Sequence, residues 1–232
     1  MALPKLETPT FELILPSTKE VVKFRPFLVK EHKILLQQQN TVADNIVKTI
    51  KELIHVCTYE KLDLDKLPNF DMEYIFLMLR AKSIGELVDI TVKCDCNKKL
   101  NAVVNLNNIK VINDENLQNT NLKIKDNLFI KVRHPVFTEM MAIYEHADTD
   151  KVFEVVGKCI DSVTMDDKLY DNFSNEELNE FILGLTKKEF EIIEQFFLDM
   201  PKVVYEDEIK CKDEECGVTN VIKLQGIEHF FI

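Results

Sequence analysis

The sequence has no tryptophan, only five glycines and seven prolines, and no low-complexity run. It also lacks any apolar stretch near the roughly 18 to 20 residues that a membrane-spanning helix needs. Its opening residues do not follow the charged-then-apolar order of a secretory signal. The chain is therefore expected to be ordered and to remain where it is made, in a reducing compartment where structural disulfides are rare. Basic residues are in deficit: 29 Lys and Arg stand against 40 Asp and Glu, a formal charge of -11. Nucleic-acid binding is driven largely by cationic side chains releasing counterions from phosphates, so this balance argues against a phosphate backbone as main partner. It also predicts repulsion from anionic membrane surfaces.

Catalytic signatures are missing as well. The sequence contains no P-loop, GxGxxG, HExxH or GxSxG. His32, His55, His134, His146 and His229 are scattered and form no i,i+4 pair. Carboxylate runs such as Glu206-Asp207-Glu208 are what a solvated face carries. No enzyme is expected.

What is present is a core-forming chain of 232 residues, 46% hydrophobic, with two alternating periodicities. Phe11, Leu13 and Leu15 alternate before a turn at 16–19, and residues 21–24 return, predicting a β-hairpin that Arg25-Pro26-Phe27 ends. Ile34, Leu35, Ile46, Ile50, Leu53 and Ile54 recur at helical spacing, and a second helix is expected over 71–83. Strands are then expected at 87–93 and 100–106. The second half repeats the order, with a hairpin over 122–132 turning at Asp126-Asn127 and followed by Arg133-His134-Pro135-Val136-Phe137. Helices are expected at 138–146, 151–160, 174–185 and 187–200. Capping boxes start the last two, Ser174 with Glu177 and Thr186 with Glu189. A closing hairpin spans 203–210 and 218–224. The expectation is an α+β chain with more helix than strand, in two hairpin–helices–hairpin halves, 1–110 and 111–232. These could pack as one domain, and their shared order suggests an internal duplication. The terminal Phe230-Phe231-Ile232 reads either as a docked end or as a partner contact.

Six cysteines divide into two kinds. Cys57 and Cys159 lie in helical apolar patterns and read as small buried hydrophobes. Cys94 and Cys96 occupy one hairpin tip, Cys211 and Cys216 the other. Residues i and i+2 of an extended segment point the same way, so Cys94 and Cys96 can offer both sulfurs to one ion. The four-residue spacer lets the chain loop between Cys211 and Cys216, with Gly217 supplying freedom beyond it. Four thiolates suit tetrahedral zinc as a closed structural site. Lys93, Lys98, Lys99, Lys210 and Lys212 flank the tips and could offset its negative charge. Reduced thiols or a redox-labile pairing are the competing reading; an iron–sulfur cluster is another use of four cysteines, with nothing here suggesting electron transfer.

The segment PTFELILPSTKEVVKFRPFLVKEHKILL (9–36), the segment KLPNFDMEYIFLMLRAKSIGE (66–86) and the two cysteine tips resemble the T4-like bacteriophage baseplate hub and hub-assembly family of contractile tails. The resemblance covers most of the chain and implies a viral protein acting in the host cytoplasm during tail assembly. It implies other hub or tail proteins as partners, and leaves open whether the protein stays in the virion baseplate. It brings no catalytic residues. Arg25, Phe27, Arg80 and Lys82 lie in the family-like phrases and are expected at the partner surface, although salt bridging or packing of the arginine stems would account for them too. A zinc-ribbon-like nucleic-acid binder is the alternative.

Overall fold

A computed structural model describes residues 6–38, 43–145, 149–213 and 215–227. The chain begins with strands β1 (Phe11–Ile14) and β2 (Val21–Phe24), then helices α1 (Val29–Gln38), α2 (Ala43–Cys57) and α3 (Asn69–Ser83). Strands β3 (Leu87–Lys93), β4 (Lys99–Asn105) and β5 (Lys110–Ile112) follow. Next come β6 (Asn121–Lys125), β7 (Leu128–Val132), α4 (Phe137–Glu145), α5 (Thr149–Lys158), β8 (Ile160–Met165) and β9 (Lys168–Tyr170). Helices α6 (Asn175–Leu183) and α7 (Lys187–Asp199) lead to β10 (Lys202–Lys210) and β11 (Thr219–Gln225). The class is α+β, with helix exceeding strand.

Two compact units result. The first comprises 1–64, 70–112 and 202–232; the second comprises 65–69 and 113–201. These units divide the chain differently from the halves 1–110 and 111–232. β10 pairs antiparallel with β5 as well as with β11, Val203 opposite Val111, so the closing hairpin joins the first unit. Hydrogen bonding to a three-residue strand decides this, and β5 is too short to announce itself by alternation.

In the first unit, β1 and β2 pair with Leu13 opposite Val22, which sends Leu13, Leu15, Val22 and Phe24 inward. The hairpin turn is held by Asp71 of α3, whose carboxylate accepts the Ser17 N–H at 2.9 Å and the Ser17 hydroxyl. Asp71 is fully buried, and burial pushes its carboxyl up to about 6 against the pull of Ser17 and Lys19. Helix α3 is buried along most of its length, with Met72, Ile75 and Leu79 at 0% exposure.

The second unit is a four-stranded antiparallel sheet, β6-β7-β8-β9, whose apolar face packs with α5, α6 and α7. Leu122, Ile130, Val156, Leu178, Ile182 and Ile193 belong to that core. Both capping boxes form: Ser174 and Thr186 each accept from a backbone N–H three residues on, and Glu177 and Glu189 return the bond. The hairpin β8–β9 was not expected. Its turn residues Asp166 and Asp167 both take positive φ, 51° and 62°, as a two-residue hairpin of this hand requires.

One set of contacts occurs twice, once in each unit. The backbone N–H of Arg25, just after β2, donates to the Cys57 carbonyl at the end of α2, and its guanidinium bonds the Pro26 carbonyl and Glu31. Glu31 accepts the Leu28 N–H at 2.7 Å and so caps α1. After β7, Arg133 N–H donates to the Cys159 carbonyl at the end of α5, and its guanidinium bonds the His134 carbonyl and Glu139. Glu139 accepts the Val136 N–H at 2.9 Å. Arg, Glu and capped N–H each lie 108 positions apart in the two sets (25 and 133, 31 and 139, 28 and 136).

Candidate metal centre

The two cysteine-bearing tips belong to antiparallel hairpins of the first unit. In β3–β4 the last pair is Lys93 opposite Lys99, and in β10–β11 it is Lys210 opposite Thr219. Each tip is closed by its leading cysteine: Cys94 N–H donates to the Lys98 carbonyl at 2.9 Å, and Cys211 N–H to the Val218 carbonyl at 2.8 Å. Left-handed residues turn the chain back, Asn97 at φ 68° and Gly217 at φ 58°. Asp213 accepts both the Cys216 and Gly217 N–H groups on its carbonyl, so the longer spacer folds back on itself.

These turns converge four sulfurs. All lie within 4.8 Å of one another. Cys94 and Cys216 are 3.8 Å apart, Cys96 and Cys211 3.9 Å. Ligands about 2.3 Å from a tetrahedral zinc stand about 3.8 Å from each other, so the cluster has the size of a four-thiolate metal site. Cys94 and Cys211 are buried, Cys216 is half-buried and Cys96 is exposed, which leaves one side open for an ion to enter. Val92, Leu100 and Ile209 pack against the sulfurs. Lys98 of one tip pairs with Asp213 of the other.

The thiols do not titrate alike. At Cys94 the Cys96 backbone N–H outweighs burial and, with Asn220 and neighbouring thiols, brings the group down to about 7. At Cys216 the Val218 backbone N–H lowers the thiol, but burial and the three neighbouring cysteines push it up to about 11. The thiols titrate as one interacting set, in which the first thiolate formed discourages the next. Four sulfurs this close cannot all be thiolates unless positive charge sits among them, and a bound metal cation is one way to supply it.

A family model described as T4 bacteriophage base plate protein matches residues 8–232. The chain belongs to that family. A search of curated proteins and a search of solved structures each found no match.

For this base plate family member, the remaining expected site residues fall as follows. Cys57 and Cys159 are fully buried, and burial raises their thiols to about 11 and about 12, as inert core groups. Phe27 and Arg80 are 7% and 5% exposed. The Arg25 side chain is 12% exposed and ion-paired with Glu31 at 3.0 Å. Three of the four residues expected at a partner surface therefore lie largely within the chain's own packing, Phe27 and Arg80 by burial and Arg25 through its bonds to Glu31 and the Pro26 carbonyl. Lys82 keeps 31% exposure, paired with Glu86 at 2.6 Å and over the Phe11 ring. Phe230-Phe231-Ile232 lies outside the described residues.

Asn220 was missed in the sequence. Its Nδ2 lies 3.4 Å from the Cys94 sulfur, across from the other hairpin. The signal was register: Asn220 pairs with Ile209, two residues before Cys211, and so shares the cysteine face of its hairpin.

Proposed function

We propose that the protein is a non-enzymatic component or assembly factor of the phage baseplate hub, acting through protein contacts and stapled by one structural zinc. The family match over nearly the whole chain carries the first part. The four converged sulfurs carry the second: thiolates favour zinc over harder ions, and four of them leave no open coordination position for catalysis. The staple joins two segments more than a hundred residues apart, so metal binding contributes directly to folding. In this reading the protein works in the host cytoplasm during tail assembly and is carried into, or released before, the finished baseplate.

Elemental analysis of the purified protein should return one zinc per chain, and Cys94→Ser should abolish it while Cys57→Ala leaves it intact. Iron with sulfide would replace the zinc by a cluster, and no metal would remove the staple. Affinity purification from infected cells should bring down tail proteins; recovery of none, with an intact folded bait, would count against a hub role.

A nucleic-acid role has one observation behind it. Lys98, Lys99 and Lys212 line a cavity of about 360 Å³ beside Cys211. Against it, Lys98 is already paired with Asp213, and the chain is strongly acidic. Salt-dependent binding to DNA or RNA near physiological ionic strength would revive that reading.

A further inference from the structure

The two tips are related as if by a local twofold. Counting from the leading cysteines, Cys94 corresponds to Cys211 and Cys96 to Cys216. The 3.8 Å contact of Cys94 with Cys216 then exchanges with the 3.9 Å contact of Cys211 with Cys96. Val92 corresponds to Ile209, and both pack on the sulfurs. The cross-strand partner of Val92 is Leu100, and that of Ile209 is Asn220. So Leu100 and Asn220 hold equivalent places. Leu100 is 6% exposed and packs into the cluster of Cys94 and Cys211. Asn220 instead reaches across to the other tip, its Nδ2 3.4 Å from the Cys94 sulfur.

We propose that Asn220 is the positioning residue of this metal centre, its amide donating to the Cys94 thiolate from the opposite hairpin and fixing that sulfur toward the ion. The inference rests on the metal reading above. An N–H···S bond of this kind withdraws electron density from a thiolate and orients its lone pairs, and partners behind metal ligands commonly govern how tightly the ion is held. The same amide lies 3.3 Å from the Val218 carbonyl and 3.5 Å from the Ile209 carbonyl, which orients its nitrogen between its own hairpin and the facing sulfur. The twofold makes the asymmetry meaningful: the place could hold an apolar side chain, as Leu100 does in the other tip, yet here it holds a donor.

The test uses the full chain loaded with zinc or with cobalt(II), in wild type, Asn220→Leu and Asn220→Asp. Leucine is the side chain already tolerated at the equivalent place, and aspartate preserves size while removing the donor. Zinc transfer to an excess of chelator should become about 10- to 100-fold faster in both variants. The sulfur-to-cobalt charge-transfer band should move to lower energy, because a thiolate without its donor gives up an electron more readily. A residue that merely steadies the hairpin would lower melting temperature without moving that band. An unchanged band and release rate therefore overturn the role of Asn220 while one zinc per wild-type chain leaves the metal reading standing. A wild-type protein that takes up neither metal removes the metal reading itself, and this inference with it.

Discussion

The Arg25 clamp and the Arg133 clamp perform the same task in differently wet surroundings. Both tie the end of a strand to the start of one helix and the end of another through an arginine, a glutamate and a cysteine carbonyl. In the first, Arg25 and Glu31 side chains are 12% and 10% exposed and share one bond, Nη2 to Oε1 at 3.0 Å. In the second, Arg133 is 35% exposed, yet it grips Glu139 with two bonds of 2.9 and 2.7 Å and adds the Lys158 carbonyl at 2.8 Å. Burial pushes both glutamates up, but the capped N–H and the guanidinium together hold each below the usual carboxylate range. The recurrence of the arginine, glutamate and capped N–H at one offset, with the cysteine carbonyls 102 positions apart instead of 108, supports a duplicated unit better than shared apolar spacing does. Its register is set by the arginines, which places Pro26 opposite His134 rather than Pro135.

The largest expected effect separates the clamps. Glu31→Ala strands a buried guanidinium and uncaps α1, and truncating one partner of a buried pair costs about 3 to 5 kcal/mol. Chemical denaturation should register that loss. Equal effects of Glu31→Ala and Glu139→Ala would erase the difference in burial as the explanation.

A second contrast lies at the hairpin turns. The β1–β2 turn is held by buried Asp71, whose folded pKa is raised to about 6 from an unfolded value of 3.8. Between those values the folded state binds more protons than the unfolded state. This contribution is thus fully present below pH 3.8 and lost as pH rises through about 6, a fall of up to about 3 kcal/mol. Asp71→Asn keeps an acceptor for the Ser17 N–H and has no proton to lose. The wild-type-minus-variant difference in stability should therefore decline from pH 4 to 7; a flat difference would mean that Asp71 is solvated.

Much of this was legible in the sequence, for local reasons. Alternation at Leu13, Leu15 and Val22 marks the first hairpin, Ser174 and Thr186 announce their helices through Glu177 and Glu189, and the cysteine pairs mark the tips. The convergence of the four sulfurs was legible only as a chemical requirement, since nothing local links Cys96 to Cys211. Other features were hidden because partners elsewhere decide them. Arg25 looks like a surface arginine until Glu31 and the Cys57 carbonyl are folded around it. The β8–β9 hairpin carries an Asp-Asp turn that is also a common solvated pair, and β5 has three residues that only β10 makes a strand.

Glu139→Ala should cost less than Glu31→Ala, about 1 to 2 kcal/mol. Arg133 is exposed enough for water to solvate it once its partner is gone, and solvent already screens part of the attraction. The lost cap on the Val136 N–H accounts for about 1 kcal/mol of that figure. Unlike the first clamp, this one should respond to salt, since an ion pair reached by solvent weakens over a Debye length of about 8 Å. Raising salt should therefore narrow the gap between wild type and Glu139→Ala while leaving the Glu31→Ala gap nearly unchanged.

The smallest effect belongs to the second hairpin's turn. There Asn127 Nδ2 donates to Asp166 at 2.8 Å, joining the β6–β7 turn to the β8–β9 turn. Both side chains face solvent, so water replaces the bond when it is cut, and Asn127→Ala should cost no more than about 0.5 kcal/mol. Asp71→Ala at the corresponding hairpin removes a buried acceptor and leaves the Ser17 N–H and hydroxyl to find another, at about 1 to 3 kcal/mol. That contrast follows from depth together with bond number, since Asp71 accepts two bonds from Ser17 whereas the Asn127 side chain makes one and its backbone carbonyl keeps the Asp166 N–H. If denaturation midpoints showed Asn127→Ala to be as costly as Asp71→Ala, burial would not be what distinguishes the two hairpins, and the junction of the β6–β7 and β8–β9 turns would be a structural joint in its own right.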